Sequence, residues 1–246
     1  MVYVEDKIHG FEEPEGNPII WRYMNLTKFI HLIQTNSLYF TTLSTLEDED
    51  EGSPLGTYEW NQEINKWSFY LKNRQKDFKD LALEIPHSYM VNCWTRRDKE
   101  SDLLWKRFCS NGLGVAIQSK LQDLRDAFAD TKQDVNIGKV KYIDYKNPEE
   151  QVSGFLMAKQ VCLKRRKFKD EKELRAVIKD NDILLGNKPI KQAQSGRLIE
   201  VNLEKLINSV YLSPHAEIWE LEVIRALINR YNLNLPVEMS TTNVSP

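Results

Sequence analysis

The chain has 246 residues, 34 Lys and Arg against 36 Asp and Glu, and a formal net charge of −2. Its composition, 41% hydrophobic and 28% charged, is that of a folded globular chain, and no apolar run reaches the roughly 18 residues of a membrane helix. The near-neutral charge denies it the global basic footprint of a nucleic-acid binder, and three scattered cysteines deny it a disulfide framework.

Residues 1–17 are polar, hold Gly10, Pro14, Gly16 and Asn17, and read as a loose leader before a single domain over 18–246. The start lacks the basic-then-apolar form of a signal peptide, so a cytoplasmic protein is expected. A short apolar, aromatic run predicts a buried strand over 18–24. Asn25 can cap a helix whose apolar face is Leu26, Phe29, Ile30 and Ile33, and 38–42 reads as a second strand. The acidic run 47–51, followed by Gly52-Ser53-Pro54, predicts a loop, and 58–84 reads as helical.

Residues 89–94 form an expected central strand, followed by a helix over 102–109 with Leu104, Trp105 and Phe108 as its buried stripe. Asn111-Gly112 turns the chain into a strand over 113–118. A helix over 121–129, a strand over 138–145 and a helix over 151–163 come next, then a basic segment to Lys169. A strand over 173–178 leads into a long loop over 180–196 and strands over 197–201 and 209–212. A helix over 218–231 has Trp219, Val223, Leu227 and Tyr231 four apart on one stripe, and 236–240 closes as an edge strand. Strands scattered among helices without strict alternation predict an α+β domain with a mixed, split and twisted sheet flanked by helices.

The phosphate-loop, dinucleotide-binding and nucleophile-elbow motifs are all absent, and the four histidines are far apart, so no metal is expected. Cys93, Cys109 and Cys162 lie among apolar residues and read as small buried thiols. Four constellations carry chemistry. In Trp21-Arg22-Tyr23, an Arg on a buried strand must pair with a carboxylate such as Glu173 or take a phosphate. In Tyr39-Phe40-Thr41-Thr42, hydroxyls beside aromatics either hold a ligand or only favour a strand. If the strand at 173 extends back, Glu171, Glu173 and Arg175 share one face and Leu174, Ala176 and Ile178 the other. Such a face is either a solvated ion-pair row or an active site with two carboxylates. The basic run 164–169 is either a solvated segment or a phosphate-tracking one.

Ordered segments from residue 18 onward resemble a bacterial family known as domain of unknown function 2971. They include Trp21-Arg22-Tyr23, Leu38-Tyr39-Phe40, Leu46-Glu47-Asp48, Asn92-Cys93-Trp94, Glu100-Ser101-Asp102, Tyr142-Ile143-Asp144-Tyr145, Glu171-Lys172-Glu173-Leu174-Arg175 and Val210-Tyr211-Leu212-Ser213-Pro214. The family usually has His where this chain has Asp170. An early-strand Arg, a Thr pair on the next strand and a late Glu-x-Glu are also similar to ADP-ribosyltransferases, whose split mixed sheet binds NAD in a cleft. That resemblance implies Arg22 on the NAD phosphates or ribose and Thr41 or Thr42 supporting the cleft. It implies Tyr39 or Trp21 stacked on nicotinamide. Glu173 would stabilise the oxocarbenium-like transition state, with Glu171 orienting or deprotonating the acceptor.

Three readings follow. The first is an NAD-using, ADP-ribosyltransferase-like toxin or anti-phage effector with a nucleic-acid or protein acceptor. The second is a nucleic-acid binder or metal-dependent nuclease using 164–169. The third is a non-catalytic interaction module.

Overall fold

The computed structural model describes residues 11–48, 51–52, 84–109, 113–147 and 160–242. In β1 (Ile19–Asn25) the side chains alternate. Ile20 and Met24 enter the main core, while Trp21 and Tyr23 enter a second, aromatic cluster on the opposite face. Asn25 ends the strand and caps α1 (Leu26–Thr35), its side chain accepting from the Lys28 amide at 2.9 Å. The helix buries Phe29, Leu32 and Ile33 and stops at Asn36, whose φ of 47° is a left-handed conformation that asparagine tolerates. The chain then returns as β2 (Ser37–Thr42).

The remaining strands are β3 (Tyr89–Arg96), β4 (Gly114–Lys120), β5 (Asn136–Lys139), β6 (Lys141–Ile143), β7 (Leu163–Arg165), β8 (Glu173–Lys179), β9 (Gly196–Glu200), β10 (Ser209–Leu212) and β11 (Val237–Met239). The helices between them are α2 (Asp102–Cys109), α3 (Leu121–Ala127), α4 (Asn181–Leu184), α5 (Leu203–Leu206) and α6 (Ile218–Arg230). Nine strands make one mixed sheet, antiparallel except for the parallel β10–β11 pair; β6 and β7 form a separate parallel pair.

The sheet forks at β3. On one edge β8 pairs with β3 over residues 89–95, and β5 lies outside β8. The other edge is shared. β1 takes Thr95 and Arg96 at one end, and β2 takes Met90 and Val91 at the other. Residues 92–94 of that edge pair with neither strand. From there β1 leads outward through β4 and β10 to β11, while β2 carries β9. Backbone groups left by a missing strand need other partners. Here the Asn92 amide donates to Tyr39 O at 2.9 Å, and Arg22 Nη1 donates to Cys93 O at 2.5 Å. The two arms are therefore tied to the β3 edge by side chains.

The main core lies on one face, between the sheet and α1, α3, α5 and α6. The architecture is the α+β class expected, with a mixed sheet and flanking helices.

Several local expectations need correction. The strand expected over 138–145 is two short strands with Val140 between them. The loop expected over 180–196 contains α4, capped by the Asp180 side chain. In α6 the buried residues are Ile224 and Ile228, whereas Trp219 is 62% exposed and Val223 is also exposed. Apolar residues cover so much of this helix that spacing alone does not fix which arc turns inward. Phe108, expected inside with Leu104 and Trp105, is 49% exposed. Cys93 and Cys109 are half-buried, and only Cys162 is buried. Residues 11–17 are anchored: Glu12 O accepts from Lys139 N, and Asn17 Oδ1 from Gln122 N. The first ten residues of the leader, the helix expected over 58–84 except its last residue, the Asn111-Gly112 turn and most of the helix over 151–163 lie outside the described residues.

Candidate functional site

A cleft of about 640 Å³ opens at the fork of the sheet, within the size range of small-molecule sites. Of the residues given ligand or catalytic roles from the sequence, Trp21, Arg22, Tyr39, Thr41, Glu171 and Glu173 line it, and Thr42 does not. Thr42 is buried and its hydroxyl donates to Gln194 O, so it holds a loop. Thr41, one residue earlier, faces the opposite way and shares a 2.8 Å hydrogen bond with the Thr45 hydroxyl. Trp21 is buried, its indole donating to Arg97 O at 3.0 Å and its ring 5.0 Å from that of Tyr211. Tyr39 is 42% exposed. Its ring crosses β9 at Gly196, where a Cβ would sit 2.3 Å from the ring, so only glycine allows the approach.

β8 supplies the charged wall. Leu174, Ala176 and Ile178 enter the main core, which turns Glu173 and Arg175 to the other face. The strand begins at Glu173, as expected, and does not extend back to Glu171. Residues Arg166–Glu171 form a 3-10 helix ended by Lys172 in the left-handed region, φ 47°. That turn still brings Glu171 alongside Glu173. Lys164 Nζ lies 2.8 Å from Glu171 Oε2 and 2.9 Å from Glu173 Oε2. Arg175, fully buried, donates from Nε to Glu173 Oε1 at 2.8 Å and from Nη1 to Val161 O at 2.6 Å.

The acidic run expected as a loop and the basic run left open between a solvated and a phosphate-tracking role are folded together here. Glu51, from the acidic run, is buried against Arg175 and 3.4 Å from Lys164. Asp48 is buried in an ion pair with Arg165. A buried charge is tolerable only when paired, so opposite blocks distant in sequence close on each other. Arg107 of α2 completes the group, 2.6 Å from Glu171 Oε1. That oxygen is buried and, besides this ion pair, makes no hydrogen bond among the described residues, so it keeps acceptor capacity.

Glu51, Glu171 and Glu173 thus face Lys164, Arg175 and Arg107 in a balanced set. Arg22 is the surplus cation. It makes no ion pair among the described residues, and it donates to a neutral carbonyl, that of Cys93. Burial pulls its pKa down, opposed by Cys93 and Glu173. Burial alone would raise Glu173, but Arg175 and then Lys164 overcome it and hold the carboxylate down at about 2. Glu51 goes the other way: burial raises it more than Arg175 and Lys164 lower it. Burial, reinforced by Glu173, also pushes the Cys93 thiol up, so it is no nucleophile at neutral pH. Cys93 links the two key groups, its carbonyl bonded to Arg22 and its thiol to Glu173.

Glu51 and Arg107 were not legible as site residues, and Lys164 was legible only as part of a basic run that was either solvated or phosphate-tracking. The available signal was the complementarity of the 47–51 and 164–169 runs, which sequence order does not pair. No group of three metal-binding side chains occurs among the described residues, and no helix of the described residues is long and apolar enough to cross a membrane. Comparison with family models, curated proteins and solved structures finds no match to this chain.

Proposed function

We propose that the protein is an NAD-using glycosyl-transfer enzyme of ADP-ribosyltransferase type. In this reading it belongs to the domain of unknown function 2971 family and acts in the bacterial cytoplasm as a toxin or anti-phage effector. The observation that carries the chemistry is the Arg22 guanidinium, in no ion pair among the described residues, sharing one cleft with Glu173, which is held ionised at neutral pH. A guanidinium without a carboxylate partner favours a phosphate-bearing ligand. An ionised carboxylate favours a sugar that develops positive charge.

The geometry supports the following roles. Arg22 holds the pyrophosphate. Tyr39, whose ring is exposed where Trp21 is enclosed, stacks on nicotinamide. Glu173 acts as fixed negative charge and not as an acid, since its oxygens are taken by Arg175 and Lys164. As the C1′–N bond breaks, its electron pair leaves with nicotinamide. A lone pair of the acceptor forms the new bond to C1′, and the acceptor's proton passes to Glu171 Oε1.

The test is nicotinamide release from NAD by the purified chain, measured chromatographically with and without acceptor. Glu173→Gln lowers the rate by about 100-fold or more, the scale of losing one preorganised electrostatic group. No release under any condition, or equal release by the variant, overturns the reading.

A further inference from the structure

α2 and the segment 164–172 meet at the mouth of the cleft. Arg96 N donates to Lys172 O at 3.0 Å, and the Thr95 hydroxyl donates to Glu171 O. The segments joined this way, 96–107 and 164–172, hold eleven Lys and Arg against five Asp and Glu. Part of that excess is spent internally, on Lys164, Arg165 and Arg107. Lys106, Lys167, Lys169 and Lys172 are exposed and in no ion pair among the described residues. Two aromatics sit among them. Phe168 has Lys167 4.7 Å and Arg107 5.0 Å from its ring, and Phe108 stands exposed with Arg107 5.7 Å away. Phe108, Arg107 and Phe168 all line the cleft.

We infer that the acceptor is a single-stranded nucleic acid, an inference that rests on the glycosyl-transfer reading of the same cleft. Exposed lysines track a phosphate backbone, and an exposed ring on that track stacks a base of any identity. A cleft of this size admits one unpaired nucleotide and not a duplex. One base enters toward Glu171, its neighbour stacks on Phe108, and the phosphates follow Lys106, Lys167 and Lys169. A ring nitrogen, exocyclic amine or hydroxyl of the inserted nucleotide gives its lone pair to C1′ and its proton to Glu171, while nicotinamide departs.

Binding of fluorescein-labelled mixed-sequence 12-mers of DNA and of RNA to the full chain is measured by anisotropy across a salt series, without NAD. The expected result is affinity that falls with salt. A Lys106→Ala, Lys167→Ala, Lys169→Ala variant loses about 2 from the log–log slope, at roughly 0.7 per phosphate contact on a single strand. Phe108→Ala weakens binding about tenfold. All four positions are exposed, and a thermal melt equal to that of the parent shows that the variants fold. No salt-dependent binding, or binding that neither variant alters, overturns the inference. So does label from NAD appearing on added protein and not on either oligonucleotide. Because oligonucleotide binding is read without NAD and nicotinamide release without oligonucleotide, each proposal fails separately.

Discussion

Arg22 separates a functional cleft from a merely structural one, because the two readings predict opposite signs for one substitution. In Arg22→Met a side chain of similar length loses its charge. The lost interaction is one charge-assisted bond to Cys93 O, worth about 1.5–3 kcal/mol. The removed penalty is the desolvation of a half-buried ion with no carboxylate partner among the described residues, about 3–4 kcal/mol, the low end of the several kcal/mol of a fully enclosed ion. Cys93 is half-buried and lines the cleft, so water can take over its carbonyl. The balance favours Met by about 1–2 kcal/mol, or a rise in Tm of about 3–6 °C at this chain length. The same variant loses the rise in Tm that NAD gives the parent, since it has no guanidinium for the phosphates. A residue kept at a cost to stability and needed for ligand is the pattern of a functional site. Urea and thermal unfolding at pH 7, each with and without NAD, read both effects. Destabilisation by more than about 1 kcal/mol, or an unchanged response to NAD, would refute the reasoning.

Three further outcomes are expected. The Glu173 carboxyl lies at about 2 when folded, against an ordinary value of 4.5, so its stabilisation is present above pH 4.5 and lost as pH falls toward 2. Parent and Glu173→Gln should therefore differ by about 3 kcal/mol in urea stability near neutrality and converge in acid; a gap that widens in acid contradicts the assignment. Thr42→Val should cost about 1 kcal/mol through the lost bond to Gln194 O and leave NAD response intact, whereas Thr41→Val should do the reverse. On α6, Trp219→Ala should change stability by less than about 0.5 kcal/mol and Ile224→Ala should cost about 2–5 kcal/mol, as chemical denaturation would show.

Most of the secondary structure was legible because local chemistry decides it. Asn25 caps α1 and Asn36 ends it through groups within three residues of each other or through one backbone angle. The alternation of Leu174, Ala176 and Ile178 with Glu173 and Arg175 needs only the two-residue period of a strand. Where local signals were degenerate they failed. α6 offers two apolar arcs, and spacing alone did not choose between them.

The sequence by itself determined an α+β chain, the order of its strands and the residue types that bear charge. It also named six of the residues that line the cleft. Only the tertiary structure decided which charges cancel. Glu51 meets Arg175 across 124 positions, and Asp48 meets Arg165, because the fork of β3 brings those segments to one place. Burial then favours pairing for the charges enclosed there. Long-range pairing of this kind leaves no periodic trace in the chain, so Arg22, without an ion pair among the described residues, became visible only after Arg175, Lys164 and Arg107 had found their partners.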